Sequence, residues 1–170
     1  RMTNMPGELD PQRATGEEIG IASLGYEGLL RLDDKLQPVT AAAASWLVSS
    51  DGLQYTLKLR DNLAYSDGTP LTASNFAYAW KRLLDPRVSG KSYSYLAYDI
   101  AGAYELDSAS PDDTAMIAEL IDRIGVKALD DITIVFTFHA PPAYFTHVLA
   151  MWVGFSLRQD LVMKGCSNSA

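Results

Sequence analysis

Leu53-Gln54-Tyr55-Thr56-Leu57-Lys58-Leu59-Arg60 alternates apolar and polar side chains without a break. A period of two predicts a β-strand that buries Leu53, Tyr55, Leu57 and Leu59 on one face. Turn chemistry bounds it: Ser49-Ser50-Asp51-Gly52 before, Ser66-Asp67-Gly68-Thr69-Pro70 after. The same period returns in Ile132-Thr133-Ile134-Val135-Phe136-Thr137-Phe138, where Ile132, Ile134, Phe136 and Phe138 share a face. With residues 126–129 and the Asp130-Asp131 turn before it, this stretch reads as a β-hairpin.

Helical spacing lies between and around these strands. Thr72 can cap a helix by accepting from the Asn75 N–H, and Asn75 can reciprocate. Phe76, Ala79, Trp80, Leu83 and Leu84 then fall on one apolar face, and Asp85-Pro86 ends the run. A helix is predicted over 18–30, stopping near Gly28. Another is predicted over 114–124, with Met116, Ile117, Leu120, Ile121 and Ile124 on one side and Gly125 as its stop. Residues 143–149 resume helical spacing behind Pro141-Pro142. Residues 30–36 read as a brief hairpin with Asp33-Asp34-Lys35 as its turn and Pro38 as its exit. Residues 1–18 read as irregular and turn-rich after a strand end at Arg1-Met2, with turns at Pro6-Gly7 and Asp10-Pro11. Residues 101–110 read as loop or short helix. The alanine-rich stretch 41–46 receives no element, and from Ser156 onward the pattern fades.

The chain has 170 residues, 48% of them hydrophobic and 21% charged, which suits one folded domain with a real core. Fourteen Lys+Arg against 21 Asp+Glu leave a net charge of −7. That balance argues against nucleic acid as a partner and against docking on an anionic membrane. One cysteine, Cys166, cannot form an internal disulfide, and it reads as a buried or incidental thiol. His139 and His147 are too few for most histidine-built metal sites, and no Cys/His/Asp cluster has metal spacing. No apolar run reaches the roughly 18 residues of a membrane span. The longest, 148–155, contains Gly154. Arg1-Met2-Thr3-Asn4 does not begin a signal peptide, and no lipid-attachment cysteine stands near it. Composition leaves open a cytoplasmic protein or a mature form of an exported one.

The chemistry-bearing residues read quietly. Asp10, Asp33, Asp34, Asp51, Asp67, Asp130 and Asp131 all lie in turns. A catalytic carboxylate pair is conceivable, but aspartate is favoured there for its bonds to nearby N–H groups. There is no G-x-S-x-G elbow, G-x-G-x-x-G or Walker A loop. Tyr93, Tyr95 and Tyr98 form a tyrosine-rich segment, open between a binding surface and core filling beside Trp80.

Several segments, in order, look like one known family. They are Glu8-Leu9-Asp10-Pro11, Tyr26-Glu27-Gly28-Leu29-Leu30, Ala44-Ser45-Trp46, Asp51-Gly52-Leu53 and residues 55–60. Residues 65–73, 80–86 and 125–131 follow. The most specific is Leu59-Arg60, then Ser66-Asp67-Gly68-Thr69-Pro70, then Thr72-Ala73. Over residues 8 to about 150 the chain resembles the family 5 extracellular solute-binding proteins, peptide-binding components of ABC importers, and most nearly their oligopeptide-binding members.

The resemblance implies an α/β (α+β) fold: a mixed twisted sheet with flanking helices, like the small extra subdomain of lobe I in a two-lobe periplasmic peptide-binding protein. It implies three regions. Residues 1–28 belong to the main subdomain of lobe I, 29–158 form the small subdomain, and 159–170 start the return to the main lobe or form a disordered end. It implies capture of oligopeptides outside the cytoplasm, in the periplasm or at the cell surface, and delivery to ABC transporter permease subunits. Dipeptides, nickel complexes or oligosaccharides are the alternatives on the same scaffold, and a protein-interaction or sensor fragment is a further one. Membrane association would run through the transporter or a lipid anchor.

The family's contacting loop falls on Thr15, Gly16 and Glu17, whose backbone would hold the peptide near its N-terminus. The family's contacting tyrosine position falls on Ser92, with Tyr93 next to it and Tyr95 close by. Neither catalytic residues, nor a metal, nor a cofactor is implied. The Ser66–Pro70 turn reads as structural.

Overall fold

The computed structural model describes residues 9–167, with side chains to residue 164. The expected strand end at Arg1-Met2, the Pro6-Gly7 turn and the Cys166 side chain lie outside the described residues. In chain order the elements are α1 (Glu17–Gly25), β1 (Leu30–Leu32), β2 (Pro38–Thr40), β3 (Ala43–Val48), β4 (Gln54–Leu59) and α2 (Ala73–Leu84). They continue with α3 (Ala103–Asp107), α4 (Thr114–Arg123), β5 (Val126–Ala128), β6 (Thr133–Thr137), α5 (Phe145–Val148) and α6 (Gln159–Ser167). Two 3-10 turns stand at Ser94–Ala97 and Trp152–Gly154.

The two strands with period-two patterning are the inner pair of a four-stranded antiparallel sheet, ordered β3-β4-β6-β5. Tyr55 pairs with Phe136 and Leu57 with Ile134, so the two apolar faces coincide. Helix α2 covers that face. Its N-terminus closes as expected: Asn75 Oδ1 accepts from the Thr72 N–H at 2.9 Å and from the Thr72 hydroxyl at 3.2 Å. Trp80, fully buried, meets Phe136 edge-on at 5.5 Å and Phe145 at 5.7 Å. Gly154 lies beneath the indole, where a Cβ would fall 2.5 Å from Trp80 Cζ2. The α/β (α+β) class therefore holds, with helices packed on an antiparallel sheet and one aromatic core between them.

Several local expectations change. The first helix ends at Gly25 rather than near Gly28, and its apolar residues form no buried stripe. Ala22 is its one buried residue, while Leu24 is 89% exposed. Residues 30–40 do form a hairpin, but Pro38 begins its second strand opposite Leu32 instead of leaving it. That position suits proline, which lacks an N–H for a ladder. The alanine-rich stretch becomes β3, because pairing with β4 supplies the hydrogen bonds that its weak pattern does not announce. Helix α5 is a single turn, and a nine-residue α6 follows where the pattern had faded.

Gly125 does not stop α4 by a left-handed turn. It stands where backbones converge: its carbonyl accepts from the Thr137 N–H at 2.7 Å and its N–H donates to Ala101 at 2.8 Å. A Cβ there would lie 2.3 Å from the Thr137 carbonyl oxygen. In α4, Ile117 and Ile124 are buried as expected, but Met116 faces solvent. Asp113 accepts from the Met116 N–H at 3.0 Å and caps the helix.

Candidate functional site

The segment that carries Thr15, Gly16 and Glu17 is clamped at its base by a buried side chain. Gln12 is fully buried, and its Nε2 donates to the carbonyls of Ala79 at 2.5 Å and Val153 at 3.3 Å. Its Oε1 accepts from Arg82 Nη1 at 2.6 Å, and Arg82 also pairs with Asp10 at 2.5 Å. The Asp10-Pro11 turn behind it closes through Arg13 and Ala14 N–H bonds to the Asp10 carbonyl. From this base the backbone turns outward. Thr15, Gly16 and Glu17 are all exposed, and Gly16 has φ 55° and ψ −123°, a conformation that favours glycine. The Thr15 N–H is held by Glu18 Oε2 at 3.3 Å.

The tyrosine segment is clamped by one carboxylate, Asp107, at the end of α3. It accepts from Lys91 Nζ, from Ser94 Oγ at 3.0 Å and from Tyr98 Oη at 2.5 Å. Burial pushes the Asp107 carboxyl up, but bonds from Lys91, Tyr98 and Ser94 outweigh it and hold the group below its ordinary 3.8. Between these anchors Ser92 is exposed and Tyr95 is 58% exposed. Tyr93 stands edge-on to Trp152 at 5.2 Å and lies 6.5 Å from the Tyr95 ring. Tyr93 and Tyr98 are partly buried against the hydrophobic core, Tyr95 is exposed, and the ring partners of Trp80 are Phe136 and Phe145.

The two segments are tied to the same piece of chain, the Trp152–Gly154 turn. Gln12 reaches the Val153 carbonyl and Tyr93 packs on Trp152. Arg13 lies against Gly90, just ahead of the tyrosine segment. Chemically, the arrangement presents backbone groups, hydroxyls and aromatic rings, which suit hydrogen bonding and stacking against an extended polar ligand.

Asp107 and Gln12 were not read as site residues. Asp107 is separated from Lys91 by sixteen positions, and Gln12 from its carbonyl partners by 67 and 141. No local pattern signals either. The turn aspartates behave as turn residues: Asp10, Asp33, Asp51, Asp67 and Asp130 each accept from the N–H two residues on. Asp67 also takes Arg158 at 2.8 Å; the Thr69 N–H first, then Arg158, lower its carboxyl to about 2. His139 and His147 are exposed.

A separate groove of about 930 Å³ runs along the outer side of α2, toward α4, β5 and α6. Lys81, Arg87 and Lys127 line it beside Asp85 and Asp122, and none of the six expected contact residues does. Burial, and then Lys127, push the Lys81 ammonium below its usual range against the pull of Asp122. Among the described residues, no helix is long and apolar enough to cross a membrane.

Comparison with known proteins follows the same lines. Residues 37–162 match the model of the bacterial extracellular solute-binding proteins, family 5 Middle. A dipeptide-binding protein of Lactococcus lactis subsp. cremoris is 39% identical over 138 residues, which is 81% of this chain and 24% of that protein. The periplasmic oligopeptide-binding protein OppA of Escherichia coli is 38% identical over 83% of this chain and 25% of its own length. The structure of Listeria monocytogenes OppA bound to peptide superposes with a TM-score of 0.80 at 30% identity, covering 92% of this chain and 29% of that one. The chain thus spans about a quarter of the length of the curated relatives it matches.

Proposed function

The chain belongs to the bacterial extracellular solute-binding proteins of family 5, and from that membership we propose that it is part of a peptide-binding component of an ABC importer. It captures oligopeptides outside the cytoplasm and delivers them to permease subunits. What carries the reading is the run of relatives named for peptide binding, including one solved with peptide bound. The family consists of solute-binding proteins rather than enzymes, and the role proposed here has no catalytic step. Dipeptides are the second reading, favoured by the Lactococcus relative's name.

In this proposal the backbone of Thr15, Gly16 and Glu17 holds one end of the peptide main chain. Ser92, Tyr93 and Tyr95 offer a hydroxyl and two rings to it. Support comes from the exposure of Thr15, Gly16, Glu17, Ser92 and Tyr95, and from the anchors, Gln12 and Asp107, that hold each segment from behind. The division at residues 28 and 158 into main-lobe and small-subdomain regions belongs to the same proposal. Calorimetry with a tri- to pentapeptide panel, on the complete gene product and on the 170-residue chain, tests it. Peptide should bind to the complete product and weakly or not at all to the short chain, which leaves most of a bound peptide uncovered. Absence of binding by both would overturn the peptide reading.

A further inference from the structure

Ser66-Asp67-Gly68-Thr69-Pro70 belongs to the most specific motif in the sequence, yet the candidate site makes no use of it. The turn is closed on itself. The Tyr65 N–H donates to the Thr69 carbonyl and the Gly68 N–H to the Tyr65 carbonyl, both at 2.9 Å, with Gly68 at φ 84°. Asp67 Oδ1 accepts from the Thr69 N–H at 2.9 Å, which leaves Oδ2 for another donor. That donor is remote in sequence: Arg158 Nη1, at 2.8 Å. The Arg158 guanidinium also lies 5.3 Å from the centre of the Tyr65 ring. Its Nε and Nη2 fork onto Asp160 Oδ1 and Oδ2, at 2.7 Å each. One guanidinium thus bridges the turn and the first residues of α6.

Arg158 stands where tight packing gives way. Phe155, Ser156 and Leu157 are buried, the Arg158 side chain is 16% exposed, and Gln159, Asp160 and Leu161 face solvent. Asn75, which closes the N-terminus of α2 through Oδ1, also reaches the Leu157 carbonyl with Nδ2 at 3.5 Å. The Arg158 carbonyl accepts from the Leu161 and Val162 N–H groups at 3.1 and 3.0 Å, so Arg158 sits at the N-terminal end of α6. That end of a helix disfavours a cation, because the macrodipole is positive there. Asp160 offsets this from within the helix, and Asp67 and Tyr65 tie the cation to the body of the fold.

We propose that the Ser66–Pro70 turn is a clasp: through Asp67 it grips Arg158 and fixes the direction in which α6 leaves the sheet-and-helix body. Helix α6 has little apolar packing of its own to set that angle. Leu161 and Met163 are exposed, and Val162 alone of its described apolar side chains is partly buried. The residues of the motif then each have a use. Asp67 supplies the grip, Gly68 the left-handed turn that aims it, and Tyr65 the ring against which the guanidinium lies. The proposed division at residue 158 falls on this joint, but the clasp rests on these contacts and not on peptide binding.

Amide hydrogen exchange on the 170-residue chain tests this, read at Leu161 and Val162, whose N–H groups close the first turn of α6. Asp67→Asn keeps an acceptor for the Thr69 N–H and removes the charge. Arg158→Gln removes the cation from the helix end. If the dipole alone governed, Arg158→Gln would slow exchange in α6. The clasp requires the opposite: each variant should speed exchange at Leu161 and Val162 by about two- to fivefold. The double variant should do no more than Arg158→Gln alone, since the two residues act through one contact. Exchange in β4 and β6 should stay as in the parent, which separates release of the clasp from loss of the fold. Unchanged exchange in either single variant, slower exchange in Arg158→Gln, additive effects, or acceleration spread equally over the sheet would each overturn the proposal. So would exchange at Leu161 and Val162 in the parent as fast as in an unstructured peptide.

Discussion

Replacing Gln12 by alanine tests the physical link between the core and the exposed Thr15-Gly16-Glu17 backbone. Gln12 is fully buried and makes two neutral bonds, to Ala79 and Val153, and one to the Arg82 guanidinium. The neutral bonds are worth about 1 kcal/mol each and the charged one about 2 kcal/mol. Against this, alanine gives up no long side chain, which returns up to ~2 kcal/mol of rotamer entropy. Arg82 keeps Asp10 as a partner, so no charge is stranded. The net loss is about 2 kcal/mol. With a urea slope of about 2 kcal/mol/M, the unfolding midpoint should fall by roughly 1 M.

Gln12→Glu sharpens the test. It sets a carboxylate oxygen against the Ala79 and Val153 carbonyls, where the amide donated. At neutral pH it should be at least as destabilising as alanine. Repulsion from the two carbonyls and from Asp10 raises its carboxyl against the pull of Arg82, so stability returns as pH falls toward 4. Hydrogen exchange at residues 13–19 should accelerate in both variants. A midpoint unchanged in Gln12→Ala, together with unchanged exchange, would refute the clamp. A Gln12→Glu protein as stable as the parent at neutral pH would refute the orientation of the amide.

Gly125→Ala should destabilise by about 2–4 kcal/mol, because its Cβ would meet the Thr137 carbonyl at 2.3 Å and prise apart buried backbone bonds; a urea melt measures it. Gly20→Ala in α1, with nothing within 4 Å, should instead stabilise by up to about 1 kcal/mol in the same assay. Asp107→Asn should leave the sheet intact but loosen residues 91–98, seen as faster amide exchange there and a changed Trp152 environment as Tyr93 shifts. Asp67 and Asp107 both titrate below 3.8 when folded. Their stabilisation is therefore complete above about pH 4 and lost as pH falls through the lowered values, which acid titration followed by circular dichroism should show as a plateau and then a decline.

The two inner strands and α2 were readable because their patterns are local. Period two in residues 53–59 and 132–138, and the Thr72-Asn75 cap ahead of an apolar stripe, appear within single windows of sequence. Strand β3 was not readable. Four alanines in a row carry no alternation, and its extended form is settled by β4 alongside it. Helix α6 lacks a clear apolar stripe, and the buried Trp152–Gly154 turn before it shows no period. In the candidate site, the exposed residues were placed from family resemblance, while their anchors had no signature at all.

Sequence alone thus determined the elements that carry a repeat in their own residues: the core strands, the main helix, the Asx turns and the charge balance. Tertiary structure decided that the alanine-rich stretch becomes a strand beside β4, why Gly125 must be glycine, and how Gln12 and Asp107 hold the two segments. The reason is range. Periodicity and capping act over a few residues, whereas a buried amide or carboxylate finds its partners only after the chain has folded back on itself.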